Sequence, residues 1–251
     1  MSTAPRRIEA PGPFRASHLR DGDPYELSNG HSIRCMSAGG RHASSNQLGA
    51  QLLGTDPAVE EVGVDAAYRV FPDDRTLRAP DVSIGNVPDR PGWIDGVPGL
   101  ALEYADTGQD DKDLRDKIGD LLAGGTRYVW VVHLTGPQRL EVHEAGKPVQ
   151  VLSADATVSA PGVLRNSYPV RSFFDRAAAE RLTFRNLLQR EGYDSLDAVR
   201  SDEARAALLK LVEAFAVALS PTDRAAIDAA DLGTLRRLFD SLLATRRLPL
   251  P

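Results

Sequence analysis

The sequence predicts a mixed α/β domain followed by an all-α C-terminal extension. The first observation is a strand–strand–helix–strand succession between residues 80 and 133. The second is a change to apolar residues at helical spacing after Phe174. Composition agrees, because 42% of the 251 residues are hydrophobic and 26% are charged, as is usual for globular proteins. The chain is long enough for one large core, or for one core with an appendage.

Composition excludes several classes of protein. Apolar runs stay well short of the roughly 20 residues that span a bilayer. The first residues include Arg6 and Arg7 but lack the hydrophobic stretch that is typical of a secretory signal. A single cysteine, Cys35, excludes a disulfide framework and a cysteine-built zinc site. We therefore expect a cytoplasmic protein that has no membrane partner.

The charge is distributed unevenly along the chain. Lysine and arginine number 30 and aspartate and glutamate number 35, which gives a net charge of −5. Residues 1–175 carry −6, whereas residues 176–251 carry +1. The chain therefore lacks the overall positive charge that would indicate a nucleic-acid partner. Either the partner of the acidic part is not a polyanion, or carboxylates are collected there to bind a metal ion.

Three regions follow from the pattern of prolines and apolar residues. Residues 1–13 contain three prolines, which predicts a flexible N-terminal arm over residues 1–20. The α/β domain is expected at residues 21–175. The helical extension is expected at residues 176–251, because the composition changes to a helical one after Phe174.

The first half of the α/β domain begins with a hairpin. Strand-like residues on both sides of Asn29-Gly30, from Tyr25 onward, indicate two antiparallel strands. Leu48 and Leu52 are at helical spacing, which predicts a helix over about 41–53. Residues 59–71 are then expected to form one long strand, and the polar residues after Phe71 are expected to form a loop.

The central block carries the strongest pattern. PDVSIG (80–85) and GLALEYA (99–105) alternate as short strands, and DDKDLRDKIGDLLAGG predicts an amphipathic helix that ends at Gly124-Gly125. RYVWVVH (127–133) is nearly all β-branched or aromatic, which is typical of a central strand that is covered on both faces. Further antiparallel strands are expected up to Val170.

The C-terminal extension shows two apolar stripes at helical spacing. Between them, Ser220-Pro221-Thr222-Asp223 has the composition of a helix start. The stripes consist of Leu208, Leu211, Val212, Phe215 and Leu219, and of Leu235, Leu238, Phe239, Leu242 and Leu243.

Two acidic residues in the central strands are the first candidates for chemistry. Asp81 and Glu103 each lie on the less apolar face of a short strand, and if the strands pair, their carboxylates lie side by side. Such a pair either raises a pKa or binds a hard cation. Magnesium suits the site, because it is bound by one or two carboxylates and keeps waters for a phosphate substrate. The structural alternative is that Asp81 caps a turn.

Lys117 is the third candidate. It lies beside the apolar stripe of the following helix, from which it can reach the same site, and the chain has only four lysines. A lysine there can orient an attacking water and stabilise charge on phosphorus. The alternative is an exposed ion pair on the helix with Asp113 or Asp120.

Five segments, in order along the chain, resemble the Uma-two family of predicted restriction endonucleases in the PD-(D/E)XK nuclease superfamily. The similarity runs from about Tyr25 to Phe174, roughly 60% of the chain. The segments are PYELSNGH, GGRHASSNQL, RAPDVSIG, PGLALEYADTGQDDKDLRDKIGDLLAGGTRYVWVVH and APGVLRNSYPVRSFF. This resemblance implies a restriction-endonuclease-like mixed sheet flanked by helices.

The resemblance also implies roles for individual residues. The family's metal-binding Asp and Glu, which hold Mg²⁺ or Mn²⁺, match Asp81 and Glu103. The superfamily's usual lysine, two residues after the Glu, would be Ala105 in this chain, whereas the family's helix lysine matches Lys117. Glu26 matches a hairpin Glu that is either a supporting metal ligand or a structural partner. His42 matches a histidine at the first helix, a possible supporting residue whose structural alternative is a helix cap.

One loop departs from the family pattern. After Glu103 the family usually continues with serines, whereas this chain has an acidic loop with Asp106, Asp110 and Asp111.

We expect a metal-dependent endonuclease with DNA as substrate, a 5′-phosphate product and a homodimeric assembly. The alternatives left open are a catalytically silent nuclease fold that binds nucleic acid or protein, and a module that works through its helical extension.

Overall fold

The computed structural model describes residues 12–35, 39–107 and 111–249. The chain forms two compact units, unit 1 up to Leu187 and unit 2 from Leu188. No helix within the described ranges is long and apolar enough to cross a membrane.

The elements follow the predicted order, with helices among the strands of unit 1 and helices alone in unit 2. In chain order the strands are β1 (Tyr25–Ser28), β2 (His31–Arg34), β3 (Val62–Val64), β4 (Tyr68–Arg69), β5 (Leu77–Arg78), β6 (Val82–Ile84), β7 (Ile94–Asp95), β8 (Leu100–Ala105), β9 (Tyr128–His133), β10 (Arg139–His143), β11 (Gln150–Ser153), β12 (Thr157–Val158) and β13 (Tyr168–Pro169). The α-helices are α1 (Gly40–Gly54), α2 (Asp111–Ala123), α3 (Arg176–Arg190), α4 (Leu196–Ala214), α5 (Pro221–Ala229) and α6 (Leu232–Thr245).

The larger sheet of unit 1 has six strands in the order β11-β10-β9-β8-β6-β3. β8 and β9 are parallel, and the other neighbouring strands are antiparallel. The two strands that carry or adjoin the candidate acids do pair, which is the condition set for side-by-side carboxylates, because Val82 of β6 lies opposite Leu102 of β8. β9 is buried on both faces as predicted, with Trp130 in the core beside α1 and Val129 in the core beside α2.

The smaller sheet has five strands in the order β2-β1-β5-β4-β7. The predicted hairpin is confirmed as β1 and β2, and Asn29 and Gly30 between them both have positive φ, as a tight hairpin turn requires. Helix α2 packs against β9 of the larger sheet and against β1 and β5 of the smaller one. Side chains of α2 therefore meet residues from both sheets.

Two predictions between residues 59 and 79 are wrong. Residues 59–71 are not one strand, because Asp65 has a φ of 52° and the chain there leaves the larger sheet and enters the smaller one at Tyr68. The segment after Phe71 is not all loop, because Leu77 and Arg78 form β5 and are both buried. Two residues are too few to show the alternation that identifies a strand.

The described part of the predicted N-terminal arm is packed against unit 1. Residues 1–11 lie outside the described ranges, but Ala16–His18 form a 3₁₀ helix and Ala16 is fully buried beside Leu27. Trp93 donates its indole N–H to the carbonyl of Ala16 at 3.1 Å. This anchor comes from a residue 77 positions away, which a local sequence pattern does not reveal.

The boundary predicted after residue 175 coincides with the start of α3, but α3 still packs on unit 1. Ala179 is part of the core that contains Trp130. Asn186 is fully buried and donates to the carbonyl of Leu52 at 3.2 Å. The compact units consequently divide after Leu187 and not after residue 175.

Unit 2 contains α4, α5 and α6 around its own apolar core. The predicted helix start is confirmed, because Ser220 Oγ accepts a hydrogen bond from the Asp223 N–H at 3.1 Å and α5 begins at Pro221. Leu243 of the predicted stripe is 52% exposed and lies outside the core. The buried core residues are Leu208, Val212, Ile227, Leu235, Leu238 and Leu242.

Candidate active site

Asp81 lies immediately before β6 and is fixed from two sides. The backbone N–H of Tyr104 in β8 donates to Oδ2 at 2.7 Å. From α1, His42 Nε2 lies 3.0 Å from Oδ1 and Asn46 Nδ2 donates to the same oxygen at 3.3 Å. The structure thus brings Asp81 and His42 together, and the turn-cap alternative for Asp81 does not describe these contacts.

The protonation of this pair follows from its contacts. Burial alone would raise the pKa of Asp81, but the hydrogen bond from His42 and the charge of Lys117 lower it below its usual value. The hydrogen bond to Asp81 raises the pKa of His42 against the opposing effect of burial. The aspartate is therefore an anion at neutral pH, and the imidazole holds its proton more strongly than an isolated histidine does.

Glu103 lies in the middle of β8, where its side chain is only 1% exposed. Both carboxylate oxygens lie 3.1 Å from Lys117 Nζ, although within the described residues Oε1 accepts no well-aligned hydrogen bond. Burial raises the pKa of Glu103 to about 8; Lys117 opposes this rise, and the charges of Asp81 and Glu26 add to it. A buried carboxylate with an unsatisfied oxygen is costly unless a cation or donor reaches it.

Lys117 of α2 lies between two carboxylates from different sheets. Its Nζ is 3.1 Å from Glu103 Oε1 and 3.1 Å from Glu26 Oε1, and its side chain is 11% exposed. Burial would lower the pKa of Lys117, but the charges of Glu103, Glu26 and Asp81 raise it. The lysine is therefore a buried cation of the site, and the exposed helix-face pairing considered for it is wrong.

Arg78 and Asp120 complete the network, and neither was a site candidate in the sequence. Glu26 Oε2 accepts a hydrogen bond from Arg78 at 3.1 Å, and Arg78 NH2 lies 2.7 Å from Asp120 Oδ2. Arg78 is 1% exposed. Sequence reasoning missed it because its partners lie 52 and 42 residues away. Both carboxylate oxygens of Glu26 thus contact cations. This geometry is the one expected if Glu26 is a structural partner of Lys117.

Asp65 is a further acidic residue that the sequence pattern did not single out. It directly follows β3, and its backbone N–H donates to the carbonyl of Asp81 at 3.4 Å. Burial and the charge of Asp81 raise its pKa. Its backbone has a positive φ, and this conformation ends β3 beside the candidate site. The unusual backbone conformation is thus the feature that draws attention to Asp65.

The donor set of the site fits one hard divalent cation. Four carboxylates, those of Asp81, Glu103, Glu26 and Asp120, lie among the cations Lys117, Arg78 and protonated His42, so one excess negative charge remains when all of these groups are ionised. Among the described residues no three His, Cys, Asp or Glu side chains converge as a ready-made metal site. Mg²⁺ does not require one, since one or two carboxylates and several waters are its usual shell. Asp81 and Glu103, whose Oε1 accepts no well-aligned hydrogen bond among the described residues, are the residues that fit this role.

A mixed sheet flanked by helices, with one buried acid on each of two paired strands and a lysine from the next helix, is the architecture of a restriction-endonuclease-like fold. A solved structure has the same fold: the crystal structure of "a putative nuclease belonging to DUF820" from Anabaena variabilis ATCC 29413. It matches with a TM-score of 0.56 and 17% sequence identity over 66% of this chain and 99% of that one. No curated protein matches the sequence.

Residues 13–170 match the model of the Uma2 family, which is described as "putative restriction endonuclease". The chain belongs to this family, as the resemblance in its sequence predicted, and family membership supports a nuclease function. The match includes every residue of the candidate site, from Glu26 to Asp120. The helices of unit 2 lie beyond it.

Proposed function

We propose that this protein is a metal-dependent endonuclease that hydrolyses phosphodiester bonds, with DNA as its substrate. The observation that carries the proposal is the buried pair of Glu103 and Lys117 next to the anionic carboxylate of Asp81. Burying two charges is costly, and replacing such a pair by apolar residues is often neutral or stabilising. A purely structural role therefore explains this pair poorly, whereas strongly perturbed ionisable groups are a feature of functional sites.

In this proposal Asp81 and Glu103 hold one Mg²⁺ or Mn²⁺ ion. When bound, the ion supplies Lewis-acid stabilisation of the charge that develops on the phosphoryl oxygens. His42 keeps Asp81 ionised and oriented through the contact at 3.0 Å. Glu26 keeps Lys117 in place through the contact at 3.1 Å, which makes it a positioning residue.

Lys117 acts on the water and on the reacting phosphate. Its ammonium group orients the attacking water and stabilises the negative charge of the pentavalent phosphorus. A P–O bond to the water forms while that water releases a proton to solvent, and the P–O3′ bond breaks while O3′ takes up a proton from solvent. The products are therefore a 5′-phosphate and a 3′-hydroxyl. A homodimer would place two such sites on the two strands of a duplex.

Cleavage of supercoiled plasmid and of labelled single strands tests the proposal. The wild type is compared with Asp81→Asn, Glu103→Gln and Lys117→Met in Mg²⁺, in Mn²⁺ and in a chelator. We expect nicking by the wild type in either metal, none in the chelator, and a loss of about 10²–10³-fold in Lys117→Met. Asp95→Asn, which removes one charge from an exposed ion pair with Arg69, is the matched control and should nick normally.

The acidic loop favours one alternative, a nuclease fold that binds nucleic acid but does not cut it. Asp106 follows β8 directly and adds a negative charge to the loop three residues after Glu103. Binding of a duplex without nicking in any metal would support this alternative. Nicking by the wild type that Glu103→Gln abolishes would exclude it.

A further inference from the structure

We propose that Arg41 binds a phosphate group of the nucleic-acid substrate, and that Arg41 forms an ion pair with Asp106 in the free protein instead. The inference rests on the proposed function, because it assigns a substrate contact to the same site. It also gives a role to Asp106, one of the acidic residues by which the loop after Glu103 departs from the family pattern.

Arg41 and Asp106 connect the two elements that carry the candidate site. Arg41 is in the first turn of α1, directly before His42, and Asp106 directly follows β8, three residues after Glu103. Arg41 Nε donates to Asp106 Oδ2 at 2.9 Å, and Arg41 NH2 contacts Asp106 Oδ1. The pair therefore lies close to His42, whose pKa is also raised by the charge of Asp106.

The chemistry of this contact is that of a phosphate site. A guanidinium presents parallel N–H donors that match the oxygens of a carboxylate or of a phosphate equally well. Asp106 uses both of its oxygens on Arg41, as a phosphodiester would use its two non-bridging oxygens. The other cations of the site, Lys117 and Arg78, are buried and contact carboxylates of the network.

The exchange of Asp106 for a phosphate has a low energetic cost. The Arg41 side chain is 56% exposed, and ion pairs at the surface are weak and screened by salt. After release, Asp106 Oδ1 keeps the hydrogen bond from the Thr107 N–H at 2.6 Å.

Binding of a fluorescein-labelled 20-base-pair duplex, measured by anisotropy in EDTA at several salt concentrations, tests the inference without cleavage. Arg41→Gln should weaken binding about tenfold and lower the slope of log K against log salt by about 0.9, as the loss of one phosphate contact requires. Asp106→Asn should tighten binding about two- to fivefold, because the competing carboxylate is removed.

The double variant separates competition from general repulsion. If Asp106 competes for Arg41, the gain from Asp106→Asn disappears in the Arg41→Gln background. A gain that persists there, or that Asp95→Asn reproduces, would overturn the inference and leave only charge repulsion. An unchanged salt slope in Arg41→Gln, or absence of binding in both the wild type and Asp106→Asn, would overturn it as well.

The inference and the proposed function fail in different ways. If the duplex binds as predicted but no variant cleaves it in Mg²⁺ or Mn²⁺, the phosphate contact stands and the nuclease proposal fails. If the wild type cleaves and Arg41→Gln binds and cleaves equally well, the nuclease proposal stands and the role of Arg41 is wrong.

Discussion

Replacing Lys117 by methionine removes the only positive charge within 3.1 Å of Glu103 among the described residues, and it leaves a side chain of similar length. The carboxylates of Glu103 and Glu26 then face each other without their shared cation. Their side chains are 1% and 10% exposed, so water does not replace the ammonium group. Lys117→Met should therefore destabilise unit 1 strongly.

The magnitude follows from burial. Above about pH 8, where the carboxyl group of Glu103 is ionised, removing one partner of this buried ion pair costs about 3–5 kcal/mol. For a domain of this size each kcal/mol lowers Tm by about 2–4 °C, so we expect a decrease of roughly 6–20 °C. The loss should be smaller at pH 5 than at pH 8, because Glu103 has a raised pKa of about 8 and becomes neutral more readily.

Urea unfolding gives the free-energy loss and thermal unfolding gives the change in Tm, both followed by tryptophan fluorescence. Both tryptophans, Trp93 and Trp130, belong to unit 1, so the signal reports on the unit that contains the site. Lys112→Met is the matched control on the same helix, since Lys112 is 73% exposed and pairs with Asp116. That control should lower Tm by no more than about 2 °C, because such surface pairs contribute about 0.3–0.5 kcal/mol.

A second variant separates the lost charge from lost packing. Lys117→Met combined with Glu103→Gln removes the carboxylate left without its cation and should recover at least half of the lost stability. A Lys117→Met protein as stable as Lys112→Met, or a double variant no more stable than Lys117→Met, would refute the reasoning about the buried charges.

Two further predictions concern pH and a structural anchor. Folded Glu103 keeps its proton up to about pH 8, whereas an unfolded glutamate loses its proton near pH 4.5. The metal-free wild type should therefore lose stability as pH rises from 5 to 8. Glu103 contributes at most about 1.4 kcal/mol of this loss for each pH unit. Glu103→Gln should remove that part of the slope in urea midpoints; an unchanged slope would show that the glutamate ionises normally. Asp56 is fully buried and accepts hydrogen bonds from the backbone of Arg165 and Asn166 at 2.9 Å and from Tyr168 at 2.7 Å. Asp56→Ala should lose about 3 kcal/mol or more by leaving these donors unpaired, while Mn²⁺ affinity stays normal at low temperature; a matching loss of Mn²⁺ affinity would contradict its structural role.

The parts of the fold that sequence reasoning predicted are those set by local pattern. The hairpin at Asn29-Gly30, helices α1 and α2, and the pairing of β6 with β8 follow from turn chemistry and alternation. Asp81 and Glu103 could be placed next to each other on the condition that these two strands pair, because Asp81 directly precedes β6 and Glu103 lies in β8.

The parts that sequence reasoning missed are set by contacts between distant residues. Arg78 appears in a polar segment, and only the folded chain brings it to Glu26 and Asp120 from other elements. Asp65 interrupts a strand-like segment through its backbone conformation, and no single-residue propensity predicts that break. Ala16 is buried in contact with Trp93. The prolines around Ala16 in the sequence suggest a flexible arm and give no indication of this contact.

The most direct test of the central claim, that Asp81 and Glu103 form a metal-dependent hydrolytic site, is a Mn²⁺ titration. Bound Mn²⁺ is measured by electron paramagnetic resonance at pH 8 in the same samples in which plasmid nicking is measured, for the wild type, Glu103→Gln and Asp95→Asn. We predict that nicking follows Mn²⁺ occupancy in the wild type and in Asp95→Asn, and that folded Glu103→Gln loses both. Undiminished Mn²⁺ binding and nicking in Glu103→Gln would contradict the claim.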